Sequence, residues 1–313
     1  MIVGVPQYSV VVPTYRGQDT IRPLAQQIDT FFRSAGLSYE LIFVNDCGPD
    51  QSWQVMQALQ QELGADLVKI VRLARNFGQH NALICGFAHV RGQFIVTMDE
   101  DLQHSPADIG RLIAAQAAGN FDVVYGKYEM LQHSGFRNVT STLLKKLLSA
   151  SIPDLHADYT AFRLIRTSIA RHCLQMRNSY TFLDGYLTWI TSNVTSVFVT
   201  HSERAAGQSS YTVRKLIEHS INIFVTFSDL PVRIFSATAV GIFFLTTCYA
   251  LYVLVRKLLF NDLSAGFPTL AILLGFGVGI ILLGLGILGE YIHRINLKTT
   301  RRPIFVEAET SNE

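Results

Sequence analysis

The run Asp99-Glu100-Asp101 is the densest concentration of reactive groups in the chain. Three adjacent carboxylates repel one another and call for a cation or generous solvation. In an extended segment, side chains at i and i+2 point the same way, so Asp99 and Asp101 can share one hard divalent ion while Glu100 turns aside. Magnesium-type sites combine waters, one or two carboxylates and substrate phosphates. An Asp-x-Asp after a strand is therefore a sensible phosphate–metal clamp. A second polar stretch, Asn45-Asp46-Cys47-Gly48-Pro49-Asp50, closes another apolar run. Asp46 reads either as a turn residue beside Gly48 and Pro49 or as an acceptor for a base or ribose donor group. Asp50 reads as the cap of a helix beginning near Gln51.

The surrounding pattern says how these groups are carried. Tyr8–Pro13, Tyr39–Asn45, Leu67–Leu73, Gln93–Met98 and Phe121–Tyr125 read as strands. Thr20–Ala35, Gln51–Leu63, Gln79–Val90 and Pro106–Ala118 read as helices. Strands alternating with helices of this length predict βαβ units and a mostly parallel sheet, an α/β fold. Ligands of such sheets sit beyond the carboxyl ends of the strands. That rule gathers Pro13-Thr14-Tyr15, Asp46 and Asp99–Asp101 at one sheet edge.

Composition bounds the function classes. Of 313 residues, 49% are hydrophobic and only 16% charged, against about 25% in ordinary soluble domains. Disorder is excluded, and a net charge of +2 gives no support to a strongly basic nucleic-acid face. Cys47, Cys85, Cys173 and Cys248 form no CxxC pair, which argues against a zinc site and a disulfide scaffold and suits a reducing compartment. His80, His89, His104 and His133 show no metal spacing, and Trp53 and Trp189 read as core. The shortage of charge has a local cause: residues 234–255 and 267–289 contain no Asp, Glu, Lys or Arg. Each run spans roughly 33 Å as a helix, enough for a bilayer core of about 30 Å.

Arg214, Lys215 and Arg233 precede the first run, and Arg294, Lys298, Arg301 and Arg302 follow the second, whereas the connection holds only Arg256 and Lys257. This asymmetry puts both termini on the cytoplasmic side. The start of the chain does not read as a signal peptide. Gly275 and Gly279 are expected to let the two helices approach closely. Glu290 and His293 are expected to anchor the second helix at the interface. The expected organisation is a catalytic α/β domain over 1–210, an amphipathic juxtamembrane segment over 211–233, two transmembrane helices over 234–255 and 267–289, and a cytoplasmic tail over 290–313. Thr212–Phe227 has helical apolar spacing, which fits either a helix in the bilayer interface or one packed on the soluble domain. Asn138 and Asn193 match the glycosylation pattern, which a cytoplasmic domain does not use.

Three segments together, SVVVPTYRGQDTI, YELIFVNDCGPDQSW and LARNFGQHNALICGFAHVRGQFIVTMDEDLQHSP, resemble the family 2 glycosyltransferases. More narrowly they resemble those that act on polyprenyl phosphates. The likeness continues in Gly207–Tyr211 (GQSSY) and Leu288–Ile295 (LGEYIHRI), and so covers nearly the whole chain. Arg75–His80 is most like the branch that handles a modified arabinose. The resemblance implies a nucleotide-diphospho-sugar transferase (GT-A) fold, a nucleotide-diphosphate sugar donor, uridine-linked by preference, and a polyprenyl phosphate acceptor, undecaprenyl phosphate by preference. It also implies an inner-membrane location, Mg2+ or Mn2+, and the tetramer known among relatives. Carried over residue by residue, Pro13, Tyr15 and Asp46 line the nucleotide pocket and Asp99 and Asp101 hold the metal. Gln103, Arg75 and Asn76 lie close to the donor. Asp158 and Arg163, in HADYTAFRLIR, belong to the reaction centre. The family pattern Gly-x-Ser-Lys-Tyr is broken here by Ser210, which leaves Arg204 and Ser209, with Arg214 or Lys215, for the acceptor phosphate.

The chemistry this implies can be argued independently. A lipid monophosphate has a second pKa near 6 and is anionic at neutral pH, so it needs positioning more than a base. Direct displacement at the anomeric carbon, with inversion, follows, and Asp158 orients the phosphate or a sugar hydroxyl. Two readings compete: a polysaccharide-chain synthase, disfavoured because the chain has only two apolar runs and no Gln-x-x-Arg-Trp, and a non-catalytic sugar-nucleotide-binding scaffold, disfavoured by the intact Asp99/Asp101 pair.

Overall fold

The computed structural model describes residues 4–128, 152, 155–176, 178, 180–200, 222–223, 226–228, 230–260, 266–300 and 303–310. Strand β1 (Tyr8–Thr14) is buried along its length. It sits centrally because its β-branched residues face both ways: Val11 joins the apolar cluster on one side of the sheet, Val10 and Val12 the cluster on the other. β2 (Tyr39–Asn45) and β3 (Val68–Leu73) follow on one side and β4 (Phe94–Thr97) on the other, all parallel. Helices α1 (Ile21–Ala35) and α2 (Ser52–Leu63) cover one face, and α3 (Gln79–Ala88) covers the other. A short 3-10 turn, Pro106–Asp108, leads into α4 (Ile109–Gly119), so the helix expected from Pro106 begins three residues later.

The rest of the sheet departs from a simple parallel pattern. Its order is β7-β5-β6-β4-β1-β2-β3-β8. β5 (Val123–Tyr128) does not pair with β4; β6 (Arg163–Arg166) lies between them, antiparallel to both. α5 (Thr167–Cys173), α6 (Leu183–Ile190) and β7 (Val194–Val199) complete this half, with β7 parallel to β5.

Two long helices follow, α7 (Leu230–Phe260) and α8 (Phe267–Thr299). Among the described residues one stretch, Phe276–Asn296, is long and apolar enough to cross a membrane, and 6% of its most apolar stretch is buried. Among the described residues a close approach between the helices falls at Gly284, where a Cβ would sit 2.2 Å from the Phe235 ring. It does not fall at Gly279, whose Cβ position is open. The helix expected over Thr212–Phe227 lies mostly outside the described residues, but the described residues 222–223 and 226–228 turn inward. Ile223 and Phe227 are buried, Phe227 stacks near Trp189 at 4.7 Å, and Arg294 of α8 donates to Thr226 Oγ1 and Asn222 Oδ1. For these residues the segment packs against α6 and α8. Trp53 is buried as expected, but Trp189 is half exposed and does not belong to the core.

The expected tail is also structured. α8 runs on to Thr299, and β8 (Glu307–Thr310) returns to pair antiparallel with β3 at the sheet edge.

Candidate active site

The register of the parallel strands brings the chemistry together. Thr14 is opposite Asn45 and Val11 opposite Thr97, so the carboxyl ends of β1, β2 and β4 open on one edge. There a cavity of about 210 Å3 is lined by Pro13, Thr14, Tyr15, Asp46, Gln79, Asp99, Glu100 and Asp101. Five residues singled out from the sequence, Pro13, Tyr15, Asp46, Asp99 and Asp101, therefore share one cleft.

Each acid has a distinct posture. Asp99 Oδ1 accepts from Gln79 Nε2 at 2.6 Å, and its backbone N–H donates to His104 Nδ1. Asp101 Oδ1 accepts from the backbone N–H of Gln103 at 3.2 Å, across a turn in which Leu102 has φ 62°. Gln103 thus braces a cleft carboxylate through its main chain, and its side chain is not among those lining the cavity.

Glu100 points away from its two neighbours toward the loop after β1. Its carboxylate accepts the backbone N–H groups of Tyr15 and Arg16 at 3.2 Å. Burial pushes its carboxyl up to about 7, against the pull of those two N–H groups and helped by the charges of Asp50 and Asp99. Two glycines make this loop geometry feasible. A Cβ on Gly17 would lie 2.3 Å from Glu100 Oε2, and one on Gly48 would lie 1.8 Å from the Tyr15 carbonyl oxygen. Asp50 ties the same loop from the far side: it accepts from Gln18 N–H and from the N–H and hydroxyl of Ser52. Asp50 is not the N-cap of α2, which is Gln51 without a side-chain cap; it stands one residue earlier, accepting from the first helical residue, and holds the loop.

Asp46 is buried, and both its oxygens are engaged, by Phe77 N–H at 2.6 Å and Gly78 N–H at 2.8 Å. Burial raises its carboxyl, and these two N–H groups oppose the rise. It therefore pins the β3–α3 connection, which carries Arg75 and Asn76, against the end of β2. Arg75 lies over the Phe77 ring at 4.6 Å, and neither Arg75 nor Asn76 lines the cavity.

The remaining candidates lie elsewhere. Asp158 is tied to β5 and β7: its carboxylate accepts from Lys127 Nζ at 3.0 Å and Ser196 Oγ at 2.7 Å. Burial raises this carboxyl, but Ser196 and Lys127 outweigh it and hold it below the ordinary value. Arg163 lies deeper still. It is 1% exposed, paired with the buried Asp184, which also accepts from Tyr125 Oη at 2.9 Å. Such a guanidinium holds β6 to α6. Arg204, Ser209, Ser210, Arg214 and Lys215 lie outside the described residues.

Three cleft residues, Thr14, Gln79 and Glu100, carry no role in the sequence reading. Glu100 was expected to turn aside, and it does so onto a specific target. Gln79 follows Gly78, whose φ of 91° starts α3 at the cleft; a polar residue at the first position of a helix that enters from a strand end was the available signal.

Comparison with known proteins bears on the family and the fold. The family model described as "Glycosyl transferase family 2" matches residues 9–174. A protein of Pseudomonas paraeruginosa named undecaprenyl-phosphate 4-deoxy-4-formamido-L-arabinose transferase is 32% identical over 301 residues, 95% of this chain and 88% of that protein. A protein of the same name from Shewanella sediminis is 31% identical over 94% of this chain and 89% of its own length. Among solved structures, glucosyl-3-phosphoglycerate synthase from Mycobacterium tuberculosis, in complex with Mn2+, UDP-glucose and phosphoglyceric acid, superposes with a TM-score of 0.53 at 17% identity, covering 71% of this chain and 78% of that one. Mannosyl-3-phosphoglycerate synthase from Rubrobacter xylanophilus gives 0.53 at 14% identity, over 70% and 72%. These structures share the GT-A-like fold. The chain is a glycosyltransferase and belongs to glycosyl transferase family 2.

Proposed function

We propose that the protein transfers a sugar from a uridine-diphosphate-linked donor to undecaprenyl phosphate at the cytoplasmic leaflet of the inner membrane, with inversion at the anomeric carbon. The carrying observation is that Asp99 and Asp101 meet Tyr15, Asp46 and Gln79 in one cleft at the carboxyl ends of three parallel strands. The relatives' names supply the acceptor class. The cavity is smaller than the ~300–1,000 Å3 of complete ligand pockets, which suits the diphosphate end of a donor whose remainder extends along the open edge.

The residues fit a divalent ion. The donor set is all oxygen, the pattern of hard cations. A Mg2+ or Mn2+ held by Asp99 and Asp101 supplies charge compensation to the departing diphosphate. Gln79 and the Gln103 N–H orient the two carboxylates. Pro13 and Tyr15 border the nucleoside, on a loop that Glu100 and Asp50 hold in place. Asp46 sets the connection from which Arg75 and Asn76 approach the donor. Asp158, kept ionised by Lys127 and Ser196, is an orienting group and not a base, because the acceptor phosphate is already anionic. Arg204 and Ser209 are the residues we assign to that phosphate, with Ser210 removing one cation from the family pattern.

Membrane attachment fits the two long helices. Leu245, Leu258, Leu274 and Ile281 are each at least 60% exposed, a surface that water does not favour and lipid does. In this reading α7 and α8 form the hairpin, and the residues around Phe227 hold the catalytic domain against its base. The test is to incubate the purified full chain with several nucleotide sugars and undecaprenyl phosphate and to identify the lipid product by mass. A lipid-linked monosaccharide supports the reading; sugar in a polymer, or no transfer, overturns it.

A further inference from the structure

We propose that Cys85, His89 and Glu307 form a zinc-type metal site that fastens the C-terminal strand to the catalytic domain. Cys85 and His89 are four residues apart along α3 and its C-cap, so they share one face. Glu307 arrives from β8, some 220 residues later in the chain. His89 Nε2 lies 2.8 Å and Cys85 Sγ 3.5 Å from Glu307 Oε1, and the three ligand atoms all fall within 4.8 Å of one another. Zinc bonds of about 2.0–2.3 Å in a tetrahedron set neighbouring ligands roughly 3–4 Å apart, so small adjustments suffice.

The backbone is shaped for this meeting. In the β3–β8 ladder Arg72 is opposite Glu309 and Leu73 opposite Glu307, with a register shift between them. The extra residue, Ala308, separates two neighbouring acids that would otherwise share a face. Glu309 pairs with Arg72, which lies over Trp53 of α2, whereas Glu307 is aimed at α3. Thr310 Oγ1 donates to the second oxygen of Glu307, an outer hydrogen bond of the kind that orients metal-binding carboxylates. Ile304 and Phe305 pack into the same apolar cluster as Cys85, and Ala74 N–H donates to the Val306 carbonyl.

The donor chemistry distinguishes this site from the cleft. Sulfur, imidazole nitrogen and one carboxylate suit zinc, while an all-oxygen pair suits magnesium or manganese. Cys85 is fully buried, with His89 and Glu307 on the more open side, leaving a fourth position for water. Burial, and then the charge of Glu307, push the Cys85 thiol well above its ordinary range, so ion binding must expel a proton. α3 presents Gln79 to Asp99 at one end and this cluster at the other. β8 follows α8, so the site joins the end of the long helix to the helix that borders the donor cleft.

The experiment uses the full chain in detergent, stripped with chelator and then dialysed against zinc or titrated with cobalt. Expected are one zinc per chain by mass spectrometry and a near-ultraviolet thiolate-to-cobalt charge-transfer band. Cys85→Ser should abolish the band, and His89→Ala and Glu307→Gln should each weaken zinc binding at least about tenfold. Glu307 lies on an edge strand, so Glu307→Gln remains informative if Cys85→Ser fails to fold. Zinc should raise the melting temperature of the wild type and not of Glu307→Gln. Absence of both stoichiometric zinc and the band in the wild type overturns the proposal, as does a band that survives Cys85→Ser. The Asp99/Asp101 cleft gives no thiolate band, so this result is independent of the transferase reading.

Discussion

The contact between Glu100 and the loop after β1 makes a quantitative prediction. Glu100→Ala removes the acceptor for two backbone N–H groups, those of Tyr15 and Arg16. At pH 8, where a carboxyl raised to about 7 is mostly ionised, hydrogen bonds to the charged group contribute about 1.5–3 kcal/mol each when buried, and less where water can replace them. Tyr15 is partly exposed, so a combined loss of about 2 kcal/mol in loop order is reasonable. If Tyr15 must be in place to bind donor, that loss appears as a rise of roughly 30-fold in the donor's KM or in Kd for uridine diphosphate. The turnover number should change much less, because Asp99 and Asp101 remain. Glu100→Gln keeps one acceptor oxygen and should show a rise of a few-fold. The decisive arm is a double-mutant cycle with Gly17→Ala. The new Cβ would sit 2.3 Å from Glu100 Oε2, so in the wild-type background the carboxylate must move, costing about 1 kcal/mol. In the Glu100→Ala background only the tight approach to Ile21 Cγ1, at 3.1 Å, remains, so most of that cost should vanish. Calorimetry with uridine diphosphate and donor-dependent kinetics measure both. Additive effects of the two substitutions would refute the argument, as would a Glu100→Ala protein that binds donor like the wild type.

Other perturbations test other parts of the structure. Asp184→Asn or Arg163→Met leaves half of a buried pair uncompensated and should destabilise the protein by about 3–5 kcal/mol in a denaturant titration. Replacing both with apolar residues of similar volume should recover much of that loss. The Asp158 carboxyl is held below its ordinary value, so its contribution is present above that value and lost as pH falls through the lower folded one. Asp158→Asn should flatten that part of the acid-unfolding curve, by under about 1 kcal/mol because the side chain is 37% exposed. Gly284→Leu should force Phe235 and the two long helices apart and lower thermal stability in detergent, whereas Gly277→Ala, with open space at its Cβ position, should not.

Much of the catalytic half was legible because its strands are buried on both faces and its helices carry an apolar stripe. Tyr39–Asn45 was read with the bounds the structure gives, and the other early elements within a few residues. Legibility fails where period and length fail. β6 is four residues, Arg-Leu-Ile-Arg, too short to show alternation, and its first residue is a buried arginine whose partner, Asp184, is distant in sequence. β8, Glu-Ala-Glu-Thr, has no apolar run at all; an edge strand paired on one side needs none. The cleft acids were visible as types and spacing, but the target of Glu100 was not, since the backbone N–H groups it meets lie 84 and 85 residues earlier. Cys85 and His89 belong to no cysteine pattern and no histidine pattern, because a helical face brings unlike residues together.

The central claim is that Asp99 and Asp101 act as a pair on the donor diphosphate while a lipid phosphate attacks. The most direct measurement is transfer of labelled sugar into lipid-extractable product by the full chain in lipid nanodiscs, for wild type, Asp99→Asn and Asp101→Asn, with and without divalent metal. The account predicts metal-dependent product in the wild type and a loss of at least about a hundredfold, some 3 kcal/mol, in each variant while the fold is retained. Near-normal turnover in either variant with metal present would contradict it.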